Sequence, residues 1–346
     1  MSRNSLNTLR LIFAALVVVS HSYPIGGFGD DPKWGDFTLG HFAVAAFFVA
    51  SGFLVTKSRI SPSVTLVSFA WARSLRIYPA FWVCLLLTAF AAAPLAALER
   101  GGWSLSAAVG YVLENFTLRL HEVTIGHTLV GAPYPNAWNG SLWTLFYEFA
   151  CYLMIGLFLS VQRFRRGLWL AALFVTVTAG SLAHQLGMIP TDGGWFLLVP
   201  CFLGGSVLHH YRYRVPASPW LALAACVLLG LFTSVGWGEF AAPLPLAYLV
   251  MWLATVFPRV VERWRDGGTD ISYGLYLYAF PIQQLMVVIA VNRLGVGAMI
   301  AASLACTVVV AALSWVLIEK PVLRYKHALL GRSPNPRRAA APGVSR

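Results

Sequence analysis

Read as hydrophobic and polar positions, the chain is a series of long apolar runs cut by short polar connectors. Ten runs reach or approach the roughly twenty residues that an α-helix needs to cross a hydrocarbon core. They lie at 7–23, 38–56, 77–97, 141–161, 168–186, 194–209, 219–235, 241–257, 271–291 and 297–318. The pattern predicts an all-α polytopic membrane bundle of about ten transmembrane helices, without an internal repeat of fixed period. One membrane domain is expected over 1–330, followed at 331–346 by a Pro-, Ala- and Arg-rich cytoplasmic tail that should be disordered. The longest connector, 98–140, holds a weakly amphipathic piece, WSLSAAVGYVLENF, and then a loop with His121, His127, Pro133, Pro135 and Trp138. It reads either as a lid over the outer mouth of a cavity or as an interfacial helix with its connector.

Composition agrees with the pattern. Of the 346 residues, 58% are hydrophobic and 11% charged, where soluble domains carry roughly 25% charged residues. Charge then orients the bundle. With the N-terminus inside, 21 of the 25 lysines and arginines fall on cytoplasmic segments, and Lys33, Arg100, Arg119 and Arg293 fall outside. This asymmetry predicts both termini in the cytoplasm. The formal charge of +12 is therefore a topology signal; scattered over loops and a tail, it does not describe a nucleic-acid surface. The first run resembles a signal peptide in having a basic start and an apolar core. VVVSHSYPIGG offers no small-x-small cleavage site, however, so a retained helix is expected. Cys84, Cys151, Cys201, Cys226 and Cys306 all lie in apolar runs without metal-type spacing, as reduced packing residues would.

Ionisable residues inside those runs are the candidates for chemistry, because each costs about 2.5 kcal/mol or more to insert. Arg10 opens the run LIFAALVVVS and His21 closes it. Eleven residues make nearly three helical turns, so both lie on one face roughly 16 Å apart. They form a functional stripe, or they merely frame the span from its two interfaces. Arg73 and Arg76, in SFAWARSLRIYPAFW, share a helical face beside the cytoplasmic interface. They suit a bidentate phosphate receptor, and equally a positive-inside anchor or contacts with anionic lipid headgroups. Glu148, a third of the way into the fourth run, needs a cationic or hydrogen-bonding partner. It either orients or deprotonates an imidazole or pairs with an arginine. Small residues in GHFAVAAFFVASGFLV, Ala43 to Gly52 among them, allow close helix approach. His41 at the outer end of that run is a second acid/base candidate or a solvated interfacial histidine.

Several of these pieces together resemble the acyltransferase-3 family of bacterial integral-membrane O-acyltransferases, over about 5–325. The matching pieces are NSLNTLRLIFAALVVVSHS, FFVASGFL, RSLR followed by IYP, SLWTLFYEF, DISYGLYLYAFPIQQ and LSWVLIEKP. The resemblance implies a bacterial inner-membrane enzyme that uses acetyl-CoA as cytoplasmic acyl donor and needs no metal. Its acceptor would be a hydroxyl of a surface glycan, free or lipid-linked. It further implies that His21 is the catalytic histidine and Arg10 its companion, with Arg73 and Arg76 on the CoA phosphates. Glu148 is then the candidate to orient or charge-balance the site. Many relatives have a histidine before the aromatic-proline step of the penultimate span, where this chain has Ala279, which argues against catalysis on that helix. The fused hydrolase-like domain of some relatives is not seen, so the chain is expected to act alone or with a separate partner. A transporter or flippase with a charge-lined path is the competing reading, unsupported by inverted repeats or paired broken helices.

Overall fold

Backbone amides in hydrocarbon have no water to bond, so apolar runs must satisfy themselves internally, and helices do so. In the computed structural model, which describes residues 5–190, 194–256 and 270–327, every apolar run named above carries a helix. Arg3, Arg259, Arg263, Arg265 and the expected tail lie outside the described residues. The order is α1 (Leu6–Gly26), a hairpin of β1 (Lys33–Trp34) and β2 (Phe37–Thr38), α2 (Leu39–Ile60) and α3 (Leu66–Leu87). A π-helical turn (Thr88–Ala92) carries α3 into α4 (Ala93–Arg100), followed by α5 (Leu105–Glu114), α6 (Trp143–Phe158), α7 (Gly167–Gln185) and α8 (Gly194–Tyr211). Then come α9 (Pro219–Ser234), α10 (Gly238–Ala241), α11 (Pro243–Val256), α12 (Ser272–Val288) and α13 (Val296–Ser314). A second π-helical turn (Trp315–Glu319) leads into α14 (Lys320–Leu323). Among the described residues, five helical stretches are long and apolar enough to cross a membrane: α1, α2, α3 with α4, α7, and α13 with its continuation. The protein is a helical, multi-pass membrane protein.

One boundary differs from the sequence expectation in a way that matters. The third helix starts at Leu66 instead of near 77, so Arg73 and Arg76 lie within it and not before it. Thr65 accepts a hydrogen bond from the Ser68 amide at 3.1 Å and caps the helix there. The apolar run stops at these charges, but carboxylates elsewhere in the fold pair Arg76 and the helix passes straight through.

The core is arranged around α2, which is mostly buried, whereas α7 and α13 turn most of their surface outward. Its partner is α8. A Cβ at Gly52 would stand 1.9 Å from the Phe202 carbonyl oxygen, and one at Gly205 would stand 2.0 Å from that of Val49. The two backbones therefore touch, as the small-residue run anticipates. Ala43, Ala45, Ala46 and Ala50 are fully buried along the same helix. The five cysteines are free, with Cys84, Cys151 and Cys201 buried and Cys226 and Cys306 on the outside of the bundle.

At one end of the bundle the connectors form a roof. The hairpin pairs Lys33 with Thr38 and Trp34 with Phe37, turning at Gly35 with φ +59°. It is clamped to the end of α9: Trp34 Nε1 donates to Ser234 Oγ at 3.0 Å, and the Gly238 amide to Asp36 Oδ2 at 2.9 Å. The 98–140 connector carries the expected amphipathic piece as α5, then an ordered loop. Trp138 is fully buried there and donates to Thr128 Oγ1 at 2.8 Å. Gln284 of α12 holds the loop through the Tyr134 and Ala137 carbonyls at 2.9 and 2.8 Å.

Candidate active site

The ionisable residues picked out by their unusual setting collect at two levels of the bundle. Near the first turn of α1, Arg10 Nη1 bonds Asp270 Oδ2 at 2.8 Å. The same oxygen takes Arg76 Nη2 at 2.7 Å, and Arg76 Nη1 takes Glu319 Oε2 at 2.9 Å. Four residues from α1, α3, the turn before α12 and the π-helical turn after α13 thus form one network. Their side chains are 2–16% exposed, so the network is largely desolvated and each charge depends on its partners. Burial alone would favour the neutral acid at Asp270. The guanidiniums of Arg10 and Arg76, with hydrogen bonds from Ser272, overcome this and hold its carboxyl well below the usual carboxylate range. Glu319 also accepts from Ser314 Oγ at 3.3 Å.

Arg73 stands apart from that network. It makes no ion pair among the described residues, its Nε is buried without a partner, and its guanidinium lies over the Phe69 and Tyr152 rings, 5.6 Å from each centroid. The sequence pair therefore splits: Arg76 is consumed by two carboxylates and Arg73 is left with donors to spare. Glu148 lies beyond Tyr152. It is 6% exposed and accepts from Tyr152 Oη and from Ser51 Oγ, the latter at 3.1 Å. Among the described residues no bond joins Glu148 to His21 or to an arginine; its hydrogen-bonding partners are hydroxyls. A narrow seam follows, lined by Val17, Phe47, Glu148, Thr144, Tyr273 and Tyr276. Arg10 rests on one wall of it, 4.7 Å from the Phe47 centroid.

His21 lies at the other level, five residues before α1 ends. Its Nδ1 approaches Ser141 Oγ at 3.5 Å, and its ring meets Phe280 edge-on at 5.3 Å between centroids. Ser141 is itself fixed, its amide donating to Asn139 Oδ1 at 3.2 Å and its carbonyl accepting from Tyr276 Oη at 2.7 Å. The imidazole borders a cavity of about 410 Å³ under the roof, lined also by Asp30, Asp31, Lys33, Thr38 and Tyr134. Asp31 accepts from Ser20 Oγ at 2.7 Å. His41, the second histidine of this end, packs edge-on against Phe37 at 6.4 Å. Ala279 is buried within α12.

Sequence reasoning did not single out Asp270, Glu319, Asp30, Asp31 or Ser141. The first two lie in the pieces DISYG and IEKP, where a carboxylate at the border of an apolar run raises no alarm. Their meaning comes from arginines some two hundred residues away.

A helical bundle with a histidine cavity at one level and a buried arginine network at another is a polytopic membrane protein with ionisable groups inside its core. Its particular family is plain. Residues 3–319 match the acyltransferase domain family, and the chain belongs to it. The chain is 29% identical over 338 residues to an O-acetyl transferase of Shigella phage Sf6, covering 92% of this chain and 96% of that protein. It is also 29% identical to Nodulation protein 10 of Rhizobium leguminosarum bv. viciae, over 363 aligned positions and 95% and 96% of the two chains. No solved structure matches it. The protein is a membrane acyltransferase.

Proposed function

We propose that the protein transfers an acetyl group from cytoplasmic acetyl-CoA to a hydroxyl of a glycan at the opposite membrane face, with His21 at the reaction centre. The observation that carries this reading is the position of His21: its imidazole borders the cavity under the roof, and one turn back along α1, Val17 borders the seam that runs toward the arginines. A donor whose phosphates meet Arg73 beside the network would extend its pantetheine arm along that seam. The acceptor would enter from the roof. In the direct route, His21 takes the proton of the acceptor hydroxyl while its oxygen attacks the thioester carbonyl. The tetrahedral intermediate then expels the CoA thiolate, which receives the proton from the imidazolium. In the stepwise route, an imidazole nitrogen first displaces CoA and the acceptor then displaces the imidazole. Both use an imidazole that is neutral at the start. In this orientation both termini are cytoplasmic and the membrane is the bacterial inner one.

The test is turnover of radiolabelled acetyl-CoA by the purified protein. His21→Ala should lower it by about 10²–10⁴-fold, as expected for loss of a positioned base, with the thermal unfolding midpoint kept. Wild-type turnover in this variant would remove His21 from the chemistry.

A further inference from the structure

The two ring nitrogens of His21 meet different surroundings. Nδ1 faces Ser141 Oγ at 3.5 Å, and that hydroxyl is presented from a rigid frame. The Ser141 amide donates to Asn139 Oδ1, and its carbonyl accepts from Tyr276 Oη. Asn139 is itself tied to α12, donating from Nδ2 to the Leu277 carbonyl at 3.0 Å. Both Asn139 and Ser141 are 2% exposed. Phe280 closes the flank of the imidazole edge-on. It can lie there because Gly140 has no side chain: a Cβ at Gly140 would stand 2.9 Å from the Phe280 ring.

Nε2, on the far side of the ring, meets the start of α2. Gly40 is buried there, and a Cβ built on it would stand 3.7 Å from Nε2 and 3.2 Å from Ser20 Oγ. The backbone does not require glycine at this position. Gly40 lies in the first turn of a helix and outside the left-handed region, where alanine is the better helix former. What the missing side chain leaves is space beside Nε2, next to the cavity that His21 and Thr38 border.

A neutral imidazole carries one N–H and one lone pair, and only the lone pair can take a proton. Ser141 fills the approach to Nδ1, whereas Gly40 leaves the approach to Nε2 open. We propose that Nε2 is the working nitrogen of His21. Ser141 is a positioning residue: its Oγ accepts from Nδ1–H and so keeps the lone pair on Nε2. Gly40 keeps the way to that lone pair clear. The inference rests on the acyl-transfer reading of His21 and assigns the proton transfer to one atom. In the direct route, the acceptor hydroxyl proton passes to Nε2 as the oxygen bonds to the thioester carbonyl carbon. The C–S bond then breaks, and the CoA thiolate takes the proton from Nε2. Nδ1–H stays hydrogen-bonded to Ser141 throughout.

The test reads both nitrogens in the purified full chain in detergent, without turnover. Nitrogen-15 NMR of histidine-labelled protein, at a pH where the ring is neutral, should show His21 protonated on Nδ1; His21→Ala identifies the signal. Ser141→Ala should shift the tautomer ratio toward Nε2–H by about tenfold, the scale of one hydrogen bond. Ser141→Thr, which keeps a hydroxyl, should restore Nδ1–H. Access to Nε2 is read by diethyl pyrocarbonate, which modifies an unprotonated imidazole nitrogen, with mass spectrometry of the His21 peptide. Gly40→Ala should slow this modification by about tenfold or more, because the reacting atoms must first approach to about 3.5 Å. Gly40→Val should slow it further, while the exposed His121 of the same chain reacts at an unchanged rate. Wild-type His21 protonated on Nε2, or a tautomer ratio that Ser141→Ala leaves unchanged, would overturn the proposal. So would an unchanged modification rate in both Gly40 variants, which would make Gly40 a packing glycine against Ser20. Failure of the acyl-transfer reading shows separately, as turnover of radiolabelled acetyl-CoA that His21→Ala does not lower.

Discussion

Two arginines one helical turn apart on α3 do different work. Arg76 has both terminal nitrogens committed to Asp270 and Glu319, so truncating it leaves Asp270 with Arg10 alone and strips Glu319 of its ion-pair partner in a largely desolvated setting. Arg76→Ala should cost about 3–5 kcal/mol of stability, seen as a lowered unfolding midpoint in detergent. Arg76→Lys should recover only part, since one ammonium cannot reproduce a fork that reaches two acids. Arg73 has no such partner among the described residues, so Arg73→Ala should leave the midpoint nearly unchanged and lower CoA affinity by about tenfold or more on calorimetry, the scale of a charge-assisted phosphate contact. Equal loss of stability in the two variants would contradict this division of labour. The sequence showed which residues were unusual, because Arg10, His21 and Glu148 are ionisable groups in apolar runs and Arg73 and Arg76 stand together at the edge of one. It did not show who their partners are. Arg10 and Asp270 are 260 positions apart and Arg76 and Glu319 are 243 apart, and no local spacing encodes such a pairing. Glu148 illustrates the same limit: its setting calls for a cationic or hydrogen-bonding partner, and only the fold shows that the hydroxyls of Ser51 and Tyr152 fill that place.

At the scale of elements, the alternation of apolar runs and polar connectors was enough to locate the helices, because hydrocarbon leaves the backbone no other solution. Boundaries drawn at charged residues were the weak point, and α3 is the case in which buried carboxylates let a helix extend past its arginines. Contacts between helices were legible where residue size alone dictates them. At the α2–α8 crossing the backbones meet at Gly52 and Gly205, so adding even one side-chain carbon forces the helices apart. Gly205→Val should lower stability by about 1–3 kcal/mol or more, as overpacking does, and should act more strongly than Gly297→Val, where an added Cβ meets nothing within 4 Å. Thermal unfolding of the two variants side by side measures the difference. The His21 cavity and the hairpin over it were not legible. A hairpin of two-residue strands has no periodicity to detect, and its position depends on a clamp to α9 two hundred residues later.

For the whole molecule, the proposed orientation puts the arginine network toward the cytoplasm and the hairpin roof outside. A cysteine introduced at Val130, 63% exposed in the 98–140 connector of the roof, should then react with a membrane-impermeant thiol reagent in intact cells, whereas one at Arg165 should react only after permeabilisation. The reverse pattern would invert the bundle. The network has a further consequence, in time instead of space. During synthesis Arg10 and Arg76 are delivered to the membrane long before Asp270 and Glu319 exist. At about 5–20 residues per second, a separation of 260 positions leaves Arg10 without its carboxylate for roughly ten seconds or longer. The nascent bundle is thus marked as unfinished by two uncompensated cations until its last helices arrive. A chain ending at Ile289 contains Asp270 but not Glu319, and one ending at Thr255 contains neither. Membrane proteases should clear the shorter chain faster than the longer, and the longer faster than the full protein, an order that pulse-chase labelling would reveal.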